Sequence, residues 1–265
     1  MKTWAVANQK GGVGKTTTAV TLGGLLALRG SQVLLVDMDP HGSLTTYFGM
    51  DPDAVSTGVY TLFQQAANGR PLSPNNAVVE TAFKNLHVMP AATAMATLDR
   101  QLGTREGMGL VLKKSLERMA DRYEYALLDC PPMLGVLMVN ALAACEHLLI
   151  PVQTEFLAIK GLERMLHTLG MIQRSRRFQL NYTIIPTLFD RRTRSALQSL
   201  YQLRQHHPQE TWNGVIPVDT QFREASTVGQ PLPMMDPEAR GVQAYRTLLE
   251  DLESAEPSPN TTVAI

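Results

Sequence analysis

Cysteine is nearly absent. Cys130 and Cys145 are the two thiols in 265 residues. Neither belongs to a C-x-x-C pair, so the chain carries no disulfide framework and no thiol-based metal knot. Net charge is absent too: 24 basic side chains balance 24 acidic ones. No global field draws the chain to nucleic acid or to an anionic membrane, and any such binding has to come from a local patch. Apolar runs stop well short of membrane-spanning length. The first residues enter an apolar strand directly, without a charged n-region and an apolar h-region, so no secretory signal is expected and a cytoplasmic location is. Internal repeats are missing. A chain of this size buries the core of one large α/β domain or, at most, of two small ones.

What the chain does carry is Lys10-Gly11-Gly12-Val13-Gly14-Lys15-Thr16-Thr17. It follows the apolar run Trp4-Ala5-Val6-Ala7 and leads into Thr18 to Leu28, which has helical spacing and stops at Gly30. The spacing is that of a phosphate loop, G-x-x-x-x-G-K-[ST], with Gln9 in place of the first glycine. Small residues let backbone N–H groups converge on phosphate oxygens, and the helix N-terminus adds positive potential. Lys15 is expected to neutralise the β- and γ-phosphates of ATP, and the Thr16 hydroxyl to ligate Mg²⁺. Lys10 is surplus to such a loop. A second lysine there repels Lys15, so it is expected to serve phosphates that Lys15 does not already hold.

Two acidic strand ends complete the pattern. Gln32 to Val36 is an apolar run of the kind found in a parallel sheet covered on both faces. It ends in Asp37-Met38-Asp39-Pro40-His41-Gly42. Aspartates two apart on a strand point the same way, toward the end of the sheet where ligands of open α/β folds bind. By itself an Asp-Pro turn would explain this stretch. Tyr125 to Leu128 is a second apolar strand, ending in Asp129-Cys130-Pro131-Pro132; a carboxylate on a rigid strand tip can hold Mg²⁺ directly or through water. Further strands are expected at 86–90 (the third in the chain), 147–152, 182–187 and 214–217. Helices are expected at 60–67, 108–122, 135–145, 156–174 and 241–252. The alternation predicts a single-domain α/β fold: a doubly wound, mostly parallel sheet with helices on both faces. The domain is expected to span 1–253, with a disordered tail at 254–265.

These three motifs resemble those of the ParA/MinD group of deviant Walker A ATPases, and the resemblance covers residues 2 to about 252. It implies that Lys10 reaches across a dimer interface to the partner's nucleotide. It implies that Asp39 orients the attacking water, that Asp37 lies near the Mg²⁺ shell with Asp129, and that the tips around Thr187 and Pro217 border the adenine. Catalytic residues would then be Lys10, Lys15 and Asp39, with the metal served by Thr16, Asp37 and Asp129. His41 stands where relatives commonly carry glutamine and is expected at the surface. Met133, Met138, Met165 and Met171 are expected to fill the core and the dimer interface.

Function within the group is open at this stage. The tail lacks the basic amphipathic helix of a MinD-like membrane switch, and no N-terminal helix-turn-helix extension is present. Members of the small stand-alone type bind DNA through arginines. Arg174, Arg176, Arg177, Arg191, Arg192, Arg194 and Arg204 stand against one acid, Asp190, in this region; Arg191, Arg192, Arg194 and Arg223 are candidate DNA contacts. Yet the segment after Ile216-Pro217 has Arg223 as its one basic residue up to Glu224, where DNA-binding relatives often carry several. That departure, together with Asp39-Pro40-His41-Gly42-Ser43-Leu44-Thr45 and the segment from Phe156 to Met171, resembles the ParA-like ATPases encoded with chemotaxis genes, which position receptor arrays. Expected partners are a second copy of the chain, a protein activator or adaptor, and DNA on the partition reading. The location would be polar or over the nucleoid accordingly. A nucleotide-dependent amide-forming synthetase shares the fold and is the metabolic alternative.

Overall fold

The computed structural model describes residues 1–103, 105, 107–176 and 180–255, except for the side chains of residues 99 and 174–176. Seven strands are present among them: β1 (Lys2–Val6), β2 (Val33–Asp37), β3 (Val79–Glu80), β4 (Leu86–Met89), β5 (Tyr125–Asp129), β6 (His147–Gln153) and β7 (Asn181–Thr187). They form one sheet in the order β3-β4-β2-β5-β1-β6-β7, parallel throughout except for the edge pair β3·β4. The helices are α1 (Lys15–Leu28), α2 (Ser43–Tyr47), α3 (Val59–Ala67), α4 (Leu98–Leu102), α5 (Val111–Glu117), α6 (Val136–Ala144), α7 (Phe156–Arg176), α8 (Arg194–His206), α9 (Gln221–Val228), α10 (Leu232–Met235) and α11 (Arg240–Ala255).

The two-residue period of a strand sorts its side chains onto two cores. Ala5, Leu34, Val36, Ala126 and Leu128 face one layer, which is completed by Phe63 of α3, Leu112 of α5, Leu137 of α6 and Leu162 of α7. Trp4, Val33, Leu35 and Leu127 face the other, which is completed by Leu22 and Leu26 of α1 and by Val242, Leu248 and Leu249 of α11. Strands covered on both sides have to be apolar throughout, and β2 and β5 are buried at all five positions, including their terminal aspartates. The doubly wound sheet expected from the alternation is therefore present.

Several local expectations need correction. The strand at 86–89 is the fourth, because β3 precedes it; two residues are too few for any periodic pattern to register. Residues 214–217 form no strand. Proline at 186 and 217 removes donors from both sides of the ladder, and what remains is isolated bridges from Ile184 to Thr211 and from Phe189 to Pro217. The helix expected from Met108 starts as a 3₁₀ turn at Met108–Leu110 and ends at Glu117, five residues early. Helix α8 is an addition to the expected set, although Ala196, Ser199, Leu200 and Leu203 are its buried stripe at helical spacing. Met138 and Met165 are core residues, whereas Met133 and Met171 are exposed. Ser254 and Ala255 complete α11, and the remainder of the expected tail lies outside the described residues.

Candidate active site

The strand order brings three chain reversals to one edge of the sheet. β5 lies between β1 and β2, with Val6 of β1 and Asp37 of β2 both in register with Asp129 of β5. The loop after β1 thus faces the two acidic tips after β2 and β5. A cavity of about 660 Å³ opens there, lined by residues 11–17, Asp39, His41, Ser43 and Pro132 on the phosphate side and by Thr187, Leu188, residues 216–220, Phe222, Arg223 and Tyr245 opposite.

The loop has the shape an anion needs. Gly12 and Gly14 adopt left-handed backbone (φ 72° and 92°), and a Cβ placed at Gly11, Gly12 or Gly14 would meet only open space. Gly14 precedes α1 with no side-chain cap, which leaves the first N–H groups of the helix for a ligand. The loop is braced from behind. Val13 is buried, and its carbonyl accepts a hydrogen bond from the buried Thr187 Oγ1 at 2.9 Å. Asn8 donates to the Pro151 carbonyl and accepts from the Lys10 N–H. Lys15 Nζ curls back to within 3.4 Å of the Lys10 carbonyl.

The three aspartates are used differently. Thr16 Oγ1 donates to Asp129 Oδ2 at 2.6 Å, while Asp129 Oδ1 is buried with no hydrogen-bond partner. Burial first, and then the neighbouring Asp37 carboxylate, hold the Asp129 carboxyl well above the usual range. Asp37 is fully buried, and burial raises its carboxyl too, against hydrogen bonds that favour the ionised form. Those bonds come from the N–H and Oγ1 of Thr45 (2.8 and 2.7 Å) and from the Asp39 N–H (3.1 Å). Asp37 lies beside Asp129 in register, and both of its oxygens hold the turn that carries Asp39. Asp39 does line it, with Oδ1 accepting from the N–H of His41 and contacting its Nδ1 at 2.9 Å. The His41 ring is exposed, as expected.

Lys10 points away from the loop it belongs to. Its Nζ donates to Gln153 Oε1 at 3.1 Å and forms an ion pair with Glu155. Sequence reasoning missed both partners; they become neighbours only because β6 lies beside β1. Phe156 and Leu157 follow them, and with Met133 and Leu134 after β5 they are large apolar side chains left exposed.

Comparison with known proteins places the chain. Residues 1–182 match the model of an AAA-domain family. The chain is 35% identical over 249 residues to the sporulation initiation inhibitor protein Soj of Bacillus subtilis, covering 94% of this chain and 96% of the relative. It is 35% identical over 259 residues to the chromosome partitioning protein ParA of Caulobacter vibrioides, covering 97% and 95%. The chain belongs to the ParA/Soj family of ATPases. A solved structure of cobyrinic acid a,c-diamide synthase from Mycobacterium smegmatis, holding an ATP analogue and magnesium, superimposes with a TM-score of 0.81 at 31% identity, covering 96% of this chain and 94% of that one. A variant of McdA from Cyanothece in complex with ATP superimposes at a TM-score of 0.83 with 21% identity, covering 97% of this chain and 98% of that one, which speaks to the fold.

ATP and Mg²⁺ are the cofactors of this ParA/Soj-type site, and the residues present fit them. The open cradle at Gly11 to Gly14 suits a phosphate chain. The unpartnered Asp129 Oδ1 beside the Thr16 hydroxyl suits the water shell of a hard cation. Magnesium, when bound there, supplies charge neutralisation to the phosphates. Arg223 lines the cavity and is exposed, and Arg191 and Arg194 are exposed after β7. Arg192 is committed to Asp190, holding that half-buried carboxyl down at about 2. Arg174, Arg176 and Arg177 lie outside the described side chains. Both cysteines are buried, and burial pushes their thiols up, Cys145 to about 12; they are packing residues. Among the described residues, no helix is long and apolar enough to cross a membrane.

Proposed function

We propose that this ATPase is a nucleotide-controlled dimer switch that positions a cellular cargo, with a chemotaxis-type protein array as the cargo class. Two protomers face each other across two ATP·Mg²⁺, and each Lys10 leaves Glu155 to reach the other's phosphates. Lys15 and the loop N–H groups hold the chain's own nucleotide, with Thr187 and Pro217 on the adenine side. Asp39 places the attacking water, and loss of the γ-phosphate lets the halves part. Turnover is slow in isolation and is stimulated by a protein partner, because a site with Lys10 held elsewhere is incomplete.

The observation that carries this reading is the direction of Lys10. A lysine that served its own loop would line the cavity; this one is bonded at the end of β6, immediately before the exposed Phe156 and Leu157. Light scattering with and without ATP tests it. The parent chain should double in mass with ATP, and Lys10→Ala should stay monomeric while still binding nucleotide. An ATP-dependent dimer of Lys10→Ala would refute the interface role.

The exposed arginines and the names of the relatives favour a second reading, partition through sequence-independent DNA binding. Filter binding across a salt series separates the two: strong ATP-dependent retention with a steep salt slope supports DNA, and its absence supports a protein cargo. Near-full-length matches to Soj and ParA at 35% identity support either reading over a synthetase, the diamide synthase matching over a similar span at 31%.

A further inference from the structure

The wall facing the phosphate loop is built by residues 216–223, and this stretch is fixed to the start of α11. Asp219 accepts hydrogen bonds from the backbone N–H of Gln221 (3.1 Å) and of Gly241 (3.0 Å). The Phe222 ring lies against Gly241 so closely that a Cβ there would overlap it. One turn along, Tyr245 packs edge-on against Phe222, with ring centres 5.8 Å apart at 89°. Tyr245 is 1% exposed yet lines the cavity.

The Tyr245 hydroxyl stands 2.7 Å from Thr18 Oγ1, and Thr18 Oγ1 stands 2.7 Å from the carbonyl of Gly14. The direction of these bonds follows from proton counting. A carbonyl only accepts, so Thr18 gives its single proton to Gly14, and the Tyr245 hydroxyl must donate to Thr18. Two bonds in series, buried and pointing the same way, polarise each other. They end on the left-handed residue that shapes the loop. A continuous path therefore runs from the wall through Phe222, Tyr245 and Thr18 to Gly14.

We infer that Tyr245 is a positioning residue that fixes the phosphate loop against the base-side wall, setting the separation at which the two ends of a nucleotide are held. This rests on the reading that the cavity holds ATP with its base toward 216–223. A nucleotide spans both ends and depends on their separation. A bare triphosphate touches one end and does not.

Tyr245→Phe keeps the ring and its packing and removes the donor alone. Affinities for Mg·ATP and for Mg·tripolyphosphate are measured on the parent and the variant, with unfolding temperature as a control. ATP should bind about 5- to 10-fold more weakly, as expected for one buried hydrogen bond, and tripolyphosphate less than about 2-fold more weakly. Thr18→Val, which cuts the same path, should reduce the ATP-to-tripolyphosphate ratio similarly, and the double variant should be no worse than either single one. It also serves if Tyr245→Phe does not fold. Equal losses for the two ligands, or no loss in a folded variant, overturn the inference and leave the ATP site standing. A parent chain that does not bind ATP overturns both.

Discussion

Replacing Glu155 by glutamine should tighten the ATP-bound dimer. The Lys10 and Glu155 side chains are 31% and 41% exposed, so their attraction is largely screened, and a pair of this exposure contributes about 0.2–1 kcal/mol. Dimerisation through Lys10 breaks one such pair in each protomer. The combined cost is about 0.4–2 kcal/mol, and at about 1.4 kcal/mol per tenfold its removal lowers the dimer dissociation constant about 2- to 25-fold. Glutamine keeps the size of the side chain, and the Lys10 bond to Gln153 survives, so the gain should fall short of the upper bound. The assay is sedimentation or light scattering against protein concentration, with ATP or a non-hydrolysable analogue. Glu163→Gln is the control: its carboxylate pairs with Lys160 inside the helix that follows Glu155, so it makes the same change of charge without touching Lys10. An unchanged or weaker dimer for Glu155→Gln, or an equal gain for Glu163→Gln, refutes the reasoning.

Further outcomes follow from the same site. Asp39→Ala should lose about 10²-fold or more of its hydrolysis rate while ATP-dependent dimers accumulate; parent-rate turnover in a phosphate-release assay would remove Asp39 from its role. Asp129→Asn should raise the Mg²⁺ concentration needed for half-maximal ATP binding, read by titration, with ATP binding in EDTA little changed. Reversal of Arg191 and Arg194, neither of which lines the cavity, to glutamate should leave ATP turnover unaltered, and filter binding should show no ATP-dependent DNA retention to lose at physiological salt; retention whose salt slope shrinks with each reversal would favour partition. Gly23→Val should destabilise the fold by about 1–3 kcal/mol in a urea titration, because a Cβ at Gly23 already comes within 2.7 Å of Leu35 Cδ2.

How far the sequence could be read depended on whether the information was local. The phosphate loop, the Asp39 turn and the Asp129 tip are short stretches whose residue types are forced by their chemistry, and the structure brings all three to one edge. Helix α8 escapes a reading by pattern although its stripe is regular, because the arginines at its start read as loop. Residues 214–217 read as a strand because apolar content says nothing about a ladder interrupted by proline on both sides. The partners of Lys10 and the path through Tyr245 join residues more than 140 positions apart. No spacing rule reaches that far.

Asp37 shows how two neighbouring aspartates can be placed in different surroundings. Two carboxylates sit side by side on β2 and β5, in register and out of water. Such a pair resists holding two negative charges unless something positive joins it. Asp37 receives three hydrogen bonds from its own turn, which offset part of the burial that raises it. Asp129 has one, from Thr16, and an oxygen left over. On the proposed function the cation answers the charge at Asp129, while Asp37 holds the turn that carries Asp39. On that reading the spacing D-x-D encodes a brace and a water-placing group, and Asp129 on the other strand supplies the carboxylate oxygen that is free for the cation.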